Sequence, residues 1–142
     1  SRHGLKRNFS AILKEGLVGR VQSVTPFQSN LQLITDFRSR VPALTQRNRV
    51  RGLIYGTQTG LEMRQINRRA EVKKGDRVIT SGLGGLFPKG ILIGNIVEVK
   101  RQHHELFQTA SIETAVDLSR MEEVFIIISG PYPQGSPLFT DQ

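Results

Sequence analysis

Few groups in this chain are equipped for covalent chemistry. There are three histidines, His3, His103 and His104, and no cysteine. Ser81 precedes Gly82, and Asp76 lies five residues upstream. A hydrolytic triad needs a histidine to take the serine proton and an acid to orient that histidine. His3 stands beside the chain start. His103 and His104 sit in the polar stretch Lys100-Arg101-Gln102-His103-His104-Glu105, which reads as a solvated hairpin. His103, His104 and Glu105 are also poor metal ligands as a set, because neighbours on a strand face opposite ways. The lack of cysteine removes a thiolate zinc site, a disulfide scaffold and a cysteine nucleophile. No catalytic residue, metal or cofactor is expected.

The charge and the glycines point to docking instead. Lys plus Arg is 20 and Asp plus Glu is 12, for a net of +8 and a pI near 10.6. Residues 1–77 hold 16 basic and 5 acidic residues, a net of +11, whereas residues 78–142 are net −3. Arg47, Arg49 and Arg51 alternate, so on a strand they share one face. That face would suit phosphate, an anionic membrane surface or an acidic protein, and equally a plain solvated strand. Only Phe37 and Tyr55 lie near these arginines, which gives little support for a base-stacking platform.

The most distinctive segment runs from Lys73 to Gly94. It opens on a Lys-Gly-Asp turn, in which Gly75 can take a positive φ and Asp76 can bond nearby N–H groups. A strand and then a glycine-rich loop follow, Ser81-Gly82-Leu83-Gly84-Gly85-Leu86-Phe87-Pro88. A phosphate cradle would want a helix after the glycines, and Pro88 with the β-branched run beyond it argues against one. Two readings remain. Either Leu86 and Phe87 plug the end of a barrel, or Leu83, Leu86 and Phe87 are held out for a partner.

The elements that must position these residues read as strands. Gly and Pro punctuate the chain at short intervals, with β-branched runs between them. Strands are expected near Ser10–Leu13, Leu17–Val24, Leu31–Ile34, Val41–Thr45, Val50–Tyr55 and Leu61–Ile66. A second set is expected near Arg77–Thr80, Ile91–Lys100, Gln108–Glu113 and Glu123–Ser129, with one short helical turn over Asp117–Glu123. The fold class is therefore all-β, as two small packed β-barrels of about six strands each. The first is expected over 4–67 with its opening strand clipped, and the second over 68–129. The split falls in the polar stretch Asn67–Val72, and the last strand is a candidate to return to the first barrel. Residues 130–142, opening Gly-Pro-Tyr-Pro-Gln-Gly-Ser-Pro, read as a disordered tail. No apolar run approaches the ~20 residues of a spanning helix. A chain that begins at Ser1 is expected to be a piece cut from its targeting segment.

The segment from Gly75-Asp76-Arg77-Val78-Ile79-Thr80-Ser81-Gly82 to Leu83-Gly84-Gly85-Leu86-Phe87-Pro88-Lys89-Gly90, followed by Gly94, resembles the MreC family of bacterial rod shape-determining proteins. The resemblance extends to Gly16–Val21, Leu33–Asp36, Arg51–Gly56 and Ala115–Val124, in the family's order. It implies the periplasmic β-barrel region of a single-pass inner-membrane protein whose anchor and coiled coil are absent here. It also implies a non-catalytic scaffold of the elongation machinery that builds lateral peptidoglycan. The implied partners are the elongation-specific penicillin-binding transpeptidase, MreD, the MreB filament system and a second copy of the chain, with no nucleic acid. Leu83, Leu86 and Phe87 are the candidate apolar contacts, and Arg47, Arg49 and Arg51 the candidate electrostatic patch. The alternative is a small nucleic-acid-binding barrel of the SH3-like or OB class. It rests on the net charge and on Lys74-Gly75-Asp76-Arg77-Val78, which is similar to a KOW motif.

Overall fold

The computed structural model describes residues 10–13, 15–24, 29–102, 104–117 and 126–128. They form ten strands: β1 (Ser10–Leu13), β2 (Gly16–Val24), β3 (Ser29–Leu33), β4 (Arg40–Thr45), β5 (Arg51–Thr57), β6 (Gly60–Asn67), β7 (Arg77–Thr80), β8 (Leu92–Lys100), β9 (Phe107–Thr114) and β10 (Ile126–Ile128). No helix is present among the described residues, and none there is long and apolar enough to cross a membrane. The expected helical turn lies outside the described residues except for Asp117, as do the tail and residues 1–7.

Six strands close a barrel in the order β4-β5-β6-β9-β8-β7, antiparallel throughout. Alternation along the strands fills it, with a bulge in β8 opposite Val78 and Ile79 that lets Ile93 and Ile96, three residues apart, both be buried. Val41 and Ala43 from β4, Ile54 from β5, and Leu61 and Met63 from β6 point inward and are buried. Val78 from β7, Ile93 and Ile96 from β8, and Ala110 and Ile112 from β9 complete the lining. A second unit is the four-stranded sheet β10-β1-β2-β3. Its Ile12 and Leu17, with Ile34 just beyond β3, join the barrel residues in one core. The joint is tight. A Cβ on Gly16 would meet the Leu92 carbonyl oxygen at 2.5 Å, so only glycine lets β2 approach β8 this closely.

The all-β class is as expected, but the division of the chain is not. The barrel takes strands from both sides of the expected split at Asn67–Val72. The two units part between β3 and β4, and β10 returns to pair with β1. The stretch 67–72 is polar because it is a loop at the barrel rim, not a linker. What closes the barrel there is the β6–β9 pairing, a contact between residues about 45 apart in sequence, such as Ile66 with Gln108.

Strand direction alternates around the barrel, so its connections gather at two rims. The β4–β5, β6–β7 and β8–β9 connections share one rim. The β5–β6 connection and the glycine-rich β7–β8 connection share the other, on the side where the four-stranded sheet is joined.

Candidate functional site

The glycine-rich loop is built to hold its apolar side chains in fixed places. Gly82, Gly84, Gly85 and Gly90 all have positive φ, between 76° and 92°. At this density of left-handed turns a β-carbon at each position would be strained. Thr80, fully buried at the end of β7, ties the loop's two ends together. Its hydroxyl donates to the Pro88 carbonyl and accepts from the Ile91 N–H at 2.8 Å. The backbones of Thr80 and Ile91 are also bonded at 2.9 Å, and Ser81 N–H donates to the Pro42 carbonyl. Ser10 on β1 donates to the Leu86 carbonyl at 3.4 Å, joining the loop to the sheet.

This scaffold divides the three apolar candidates. Phe87 is 3% exposed and belongs to the main core. The expectation that it reaches out to a partner is corrected: its ring plugs the barrel end, because burial of an aromatic this size outweighs anything a rim position offers. Leu83 is 58% exposed and Leu86 38%. These two stand exposed on the loop.

The arginine patch is rebuilt by the structure. Arg47, Arg49 and Arg51 do not share a strand face. Residues 46–50 are the connection between β4 and β5, and only Arg51 begins a strand. Arg49 has φ of 60°, and Thr45 fixes the turn by accepting from the Val50 N–H and bonding Asn48. Arg47 folds back across the rim. Its Nε and Nη2 donate to the two Asp76 oxygens at 2.8 and 3.0 Å, and its Nη1 to Glu71 at 3.3 Å. Asp76 is buried, and the Lys73 N–H also donates to it at 3.0 Å. Hydrogen bonding from Arg47 holds the Asp76 carboxyl below the usual carboxylate range, against the opposing effect of burial. The same pairing raises Arg47 further above its ordinary value. Arg47 is thus an internal clamp on the Lys-Gly-Asp turn.

Nine further cations crowd the same rim. The segments 46–51, 67–77 and 100–107 hold ten Lys/Arg and three Asp/Glu, a net of +7 against +8 for the whole chain. Their connections are braced to one another. Asn48 donates to the Glu71 carbonyl, and Arg68 N–H to the Leu106 carbonyl. Gln108, 1% exposed, donates to the carbonyls of Asn67 and Ala70 at 3.0 and 2.7 Å and accepts from Arg101 at 2.9 Å. Against this brace stand Leu106 and Phe107, 80% and 51% exposed, sharing an open hollow with Arg68 and Arg69. Sequence reading leaves these two at the edge of a polar hairpin. The signal that could have found them is an adjacent Leu-Phe pair with nothing apolar for five residues before it.

On the outer barrel wall Tyr55 is flanked by Arg40 and Arg64, whose guanidinium carbons lie 3.8 and 4.2 Å from its ring centroid. Arg40 sits opposite Tyr55 and Arg64 opposite Leu53, so ladder register brings this cluster together. The two groups considered for a triad are spent elsewhere. The Ser81 hydroxyl accepts from the Leu83 N–H, and Asp76 is held by Arg47. His104 is exposed on the cationic rim, and His3 and His103 lie outside the described residues.

Residues 1–128 match the family model described as rod shape-determining protein MreC, barrel core. The cell shape-determining protein MreC of Listeria monocytogenes is 34% identical over 133 residues, covering 89% of this chain and 45% of that protein. A solved MreC structure superposes with a TM-score of 0.81 at 26% identity, covering 89% of this chain and 72% of the other. A complex between penicillin-binding protein PBP2 and MreC from Helicobacter pylori matches in fold, with a TM-score of 0.70 at 23% identity over 83% of this chain and 75% of that one. The chain spans less than half the length of the curated relatives it matches. None of these matches supports the nucleic-acid alternative.

Proposed function

The chain belongs to the MreC family of rod shape-determining proteins, and from that premise we propose that it is a non-catalytic periplasmic scaffold of lateral peptidoglycan synthesis. In this reading the barrel captures the elongation-specific penicillin-binding transpeptidase and favours its active conformation. Such a shift requires tighter binding to one conformation of the partner than to another. The observation that carries it is the division of the glycine-rich loop. Phe87 and Thr80 fix the loop, and Leu83 and Leu86 are left exposed on it with no role in the core. The existence of a PBP2–MreC complex from Helicobacter pylori supports a partner of this class. Association with MreD and the MreB system, self-association and attachment to the inner membrane belong to the same proposal for the longer protein.

The test is direct binding of the chain to the purified elongation transpeptidase by surface plasmon resonance. Replacing Leu83 and Leu86 together by Ser is expected to weaken capture at least tenfold, because exposed apolar side chains buried at an interface are worth about 1.5 kcal/mol or more each. Unchanged capture by this variant would refute the loop as the contact.

A further inference from the structure

We propose that the cationic rim, with Leu106 and Phe107 at its tip, seats the barrel on an anionic phospholipid bilayer. This surface lies at the barrel end opposite the glycine-rich loop, so it is separate from the transpeptidase contact and does not depend on it.

Three observations converge. First, barrel topology collects onto one rim charge that the sequence spreads over about sixty residues, giving a net of +7. Among the described residues, the only ion pairs on that rim are those of Arg47 with Asp76 and Glu71. Arg49, Arg51, Arg68, Arg69, Lys74 and Lys100 keep their charges for an external anion. Second, the two apolar side chains project beside Arg68 and Arg69, and at 80% Leu106 is the most exposed large hydrophobic residue described. A purely anionic polymer would engage the cations and leave this tip in water. A bilayer interface takes both, with apolar side chains below the headgroups and Lys/Arg among the phosphates. Third, the tip is braced. The bonds from Gln108 to the 67–70 loop and from Arg68 N–H to the Leu106 carbonyl hold Leu106 and Phe107 away from the core.

The 142-residue chain is tested by cosedimentation with phosphatidylcholine vesicles, with and without phosphatidylglycerol. Binding is expected only with phosphatidylglycerol. Each cation removed near an anionic surface weakens binding about fivefold, so Arg68→Gln with Arg69→Gln is expected to cost roughly 25-fold. Arg38→Gln with Lys89→Gln removes the same charge from the opposite rim and is expected to change binding less than about twofold, since screening confines the effect to charges near the surface. Leu106→Ser is expected to weaken binding several-fold without moving the melting temperature, since that side chain is mostly in water already. The chain has no tryptophan, so Leu106→Trp provides a single fluorescent reporter. Its emission is expected to shift to the blue on phosphatidylglycerol vesicles and to stay unshifted with soluble polyphosphate. No binding to the anionic vesicles would overturn the proposal. So would equal losses from the two charge pairs, or an unshifted emission from Leu106→Trp on bound vesicles. Binding to polyphosphate without binding to vesicles would assign the rim to a soluble polyanion instead.

Discussion

The division of the glycine-rich loop into a plug and two free side chains makes a quantitative prediction. Phe87 is 3% exposed inside the main core, so Phe87→Ala leaves a cavity at the barrel end. Substitutions of this kind cost about 3–5 kcal/mol. The site cannot collapse easily, because Thr80 fixes both ends of the loop and Pro88 stiffens its exit. A domain of this size loses about 3 °C of melting temperature per kcal/mol, so Phe87→Ala is expected to melt roughly 10–15 °C below wild type. Leu83→Ser removes a side chain already 58% exposed and is expected to stay within about 0.5 kcal/mol, under about 2 °C. Leu86→Ser, at 38% exposure, costs somewhat more but well below the plug. Thermal melts followed by circular dichroism, run beside transpeptidase binding, separate the roles. Phe87→Ala is expected to lose stability first and binding only as a consequence. A variant at Phe87 that melts like wild type would refute the plug. A Leu83 variant that unfolds would refute the claim that this side chain is free for a partner.

Three further outcomes follow from the same contacts. Asp76→Asn removes charge-assisted bonds to Arg47 and is expected to cost about 2 kcal/mol at neutral pH, read from the urea midpoint. The native Asp76 pKa is depressed, so its contribution is complete above the unfolded value of about 3.9 and is lost as pH falls through the lowered native value. The gap between wild type and Asp76→Asn should therefore narrow below about pH 4, and a constant gap would count against the clamp. Thr80→Val leaves the buried Ile91 N–H and Pro88 carbonyl without their hydroxyl partner and is expected to cost about 2 kcal/mol in the same denaturation assay, with little change in strand content. Gly16→Ala puts a Cβ at 2.5 Å from the Leu92 carbonyl oxygen and is expected to lower the melting temperature by the equivalent of about 1–3 kcal/mol.

What is legible in the sequence is local. Strand positions follow from alternation and from Gly and Pro punctuation, and β1, β2, β4, β6, β7, β8 and β9 lie where those signals put them to within a residue. What is not legible is pairing. Nothing in residues 60–67 announces that their partner is residues 107–114, so the polar stretch between β6 and β7 looks like a domain boundary. The Arg47, Arg49 and Arg51 alternation fails for a related reason. Period-two spacing is the same in a strand and in a turn, and the deciding contact, Arg47 with Asp76, spans 29 residues. Asn48 is the available turn signal, since it bonds Thr45 and tolerates tight turns. The Lys-Gly-Asp turn, in contrast, behaves as read. Gly75 has φ of 96°, and the Asp76 carboxylate accepts from the Lys73 N–H. The loop's role as partner contact is a reading of exposure, and the plug is the part that packing decides.

The two proposed surfaces gain meaning from where the fold puts them. Barrel strands of four to nine residues, tilted as closure requires, separate the rims by roughly 20 Å. A barrel seated on lipid by its cationic rim would hold Leu83 and Leu86 at about that height above the headgroups, facing away from the membrane. Lipid contact would then orient the partner loop without touching it, and the entropic cost of orienting it would no longer fall on partner binding. The two surfaces share no side chain and lie at opposite rims of the barrel. Their effects should therefore add rather than couple. Combining Arg68→Gln and Arg69→Gln with Leu83→Ser is expected to give, in solution, the transpeptidase affinity of Leu83→Ser alone. On phosphatidylglycerol vesicles carrying the transpeptidase, the same combination is expected to lose the product of the two separate factors. A loss in solution from the rim changes alone would mean that the cations contact the partner and not the lipid.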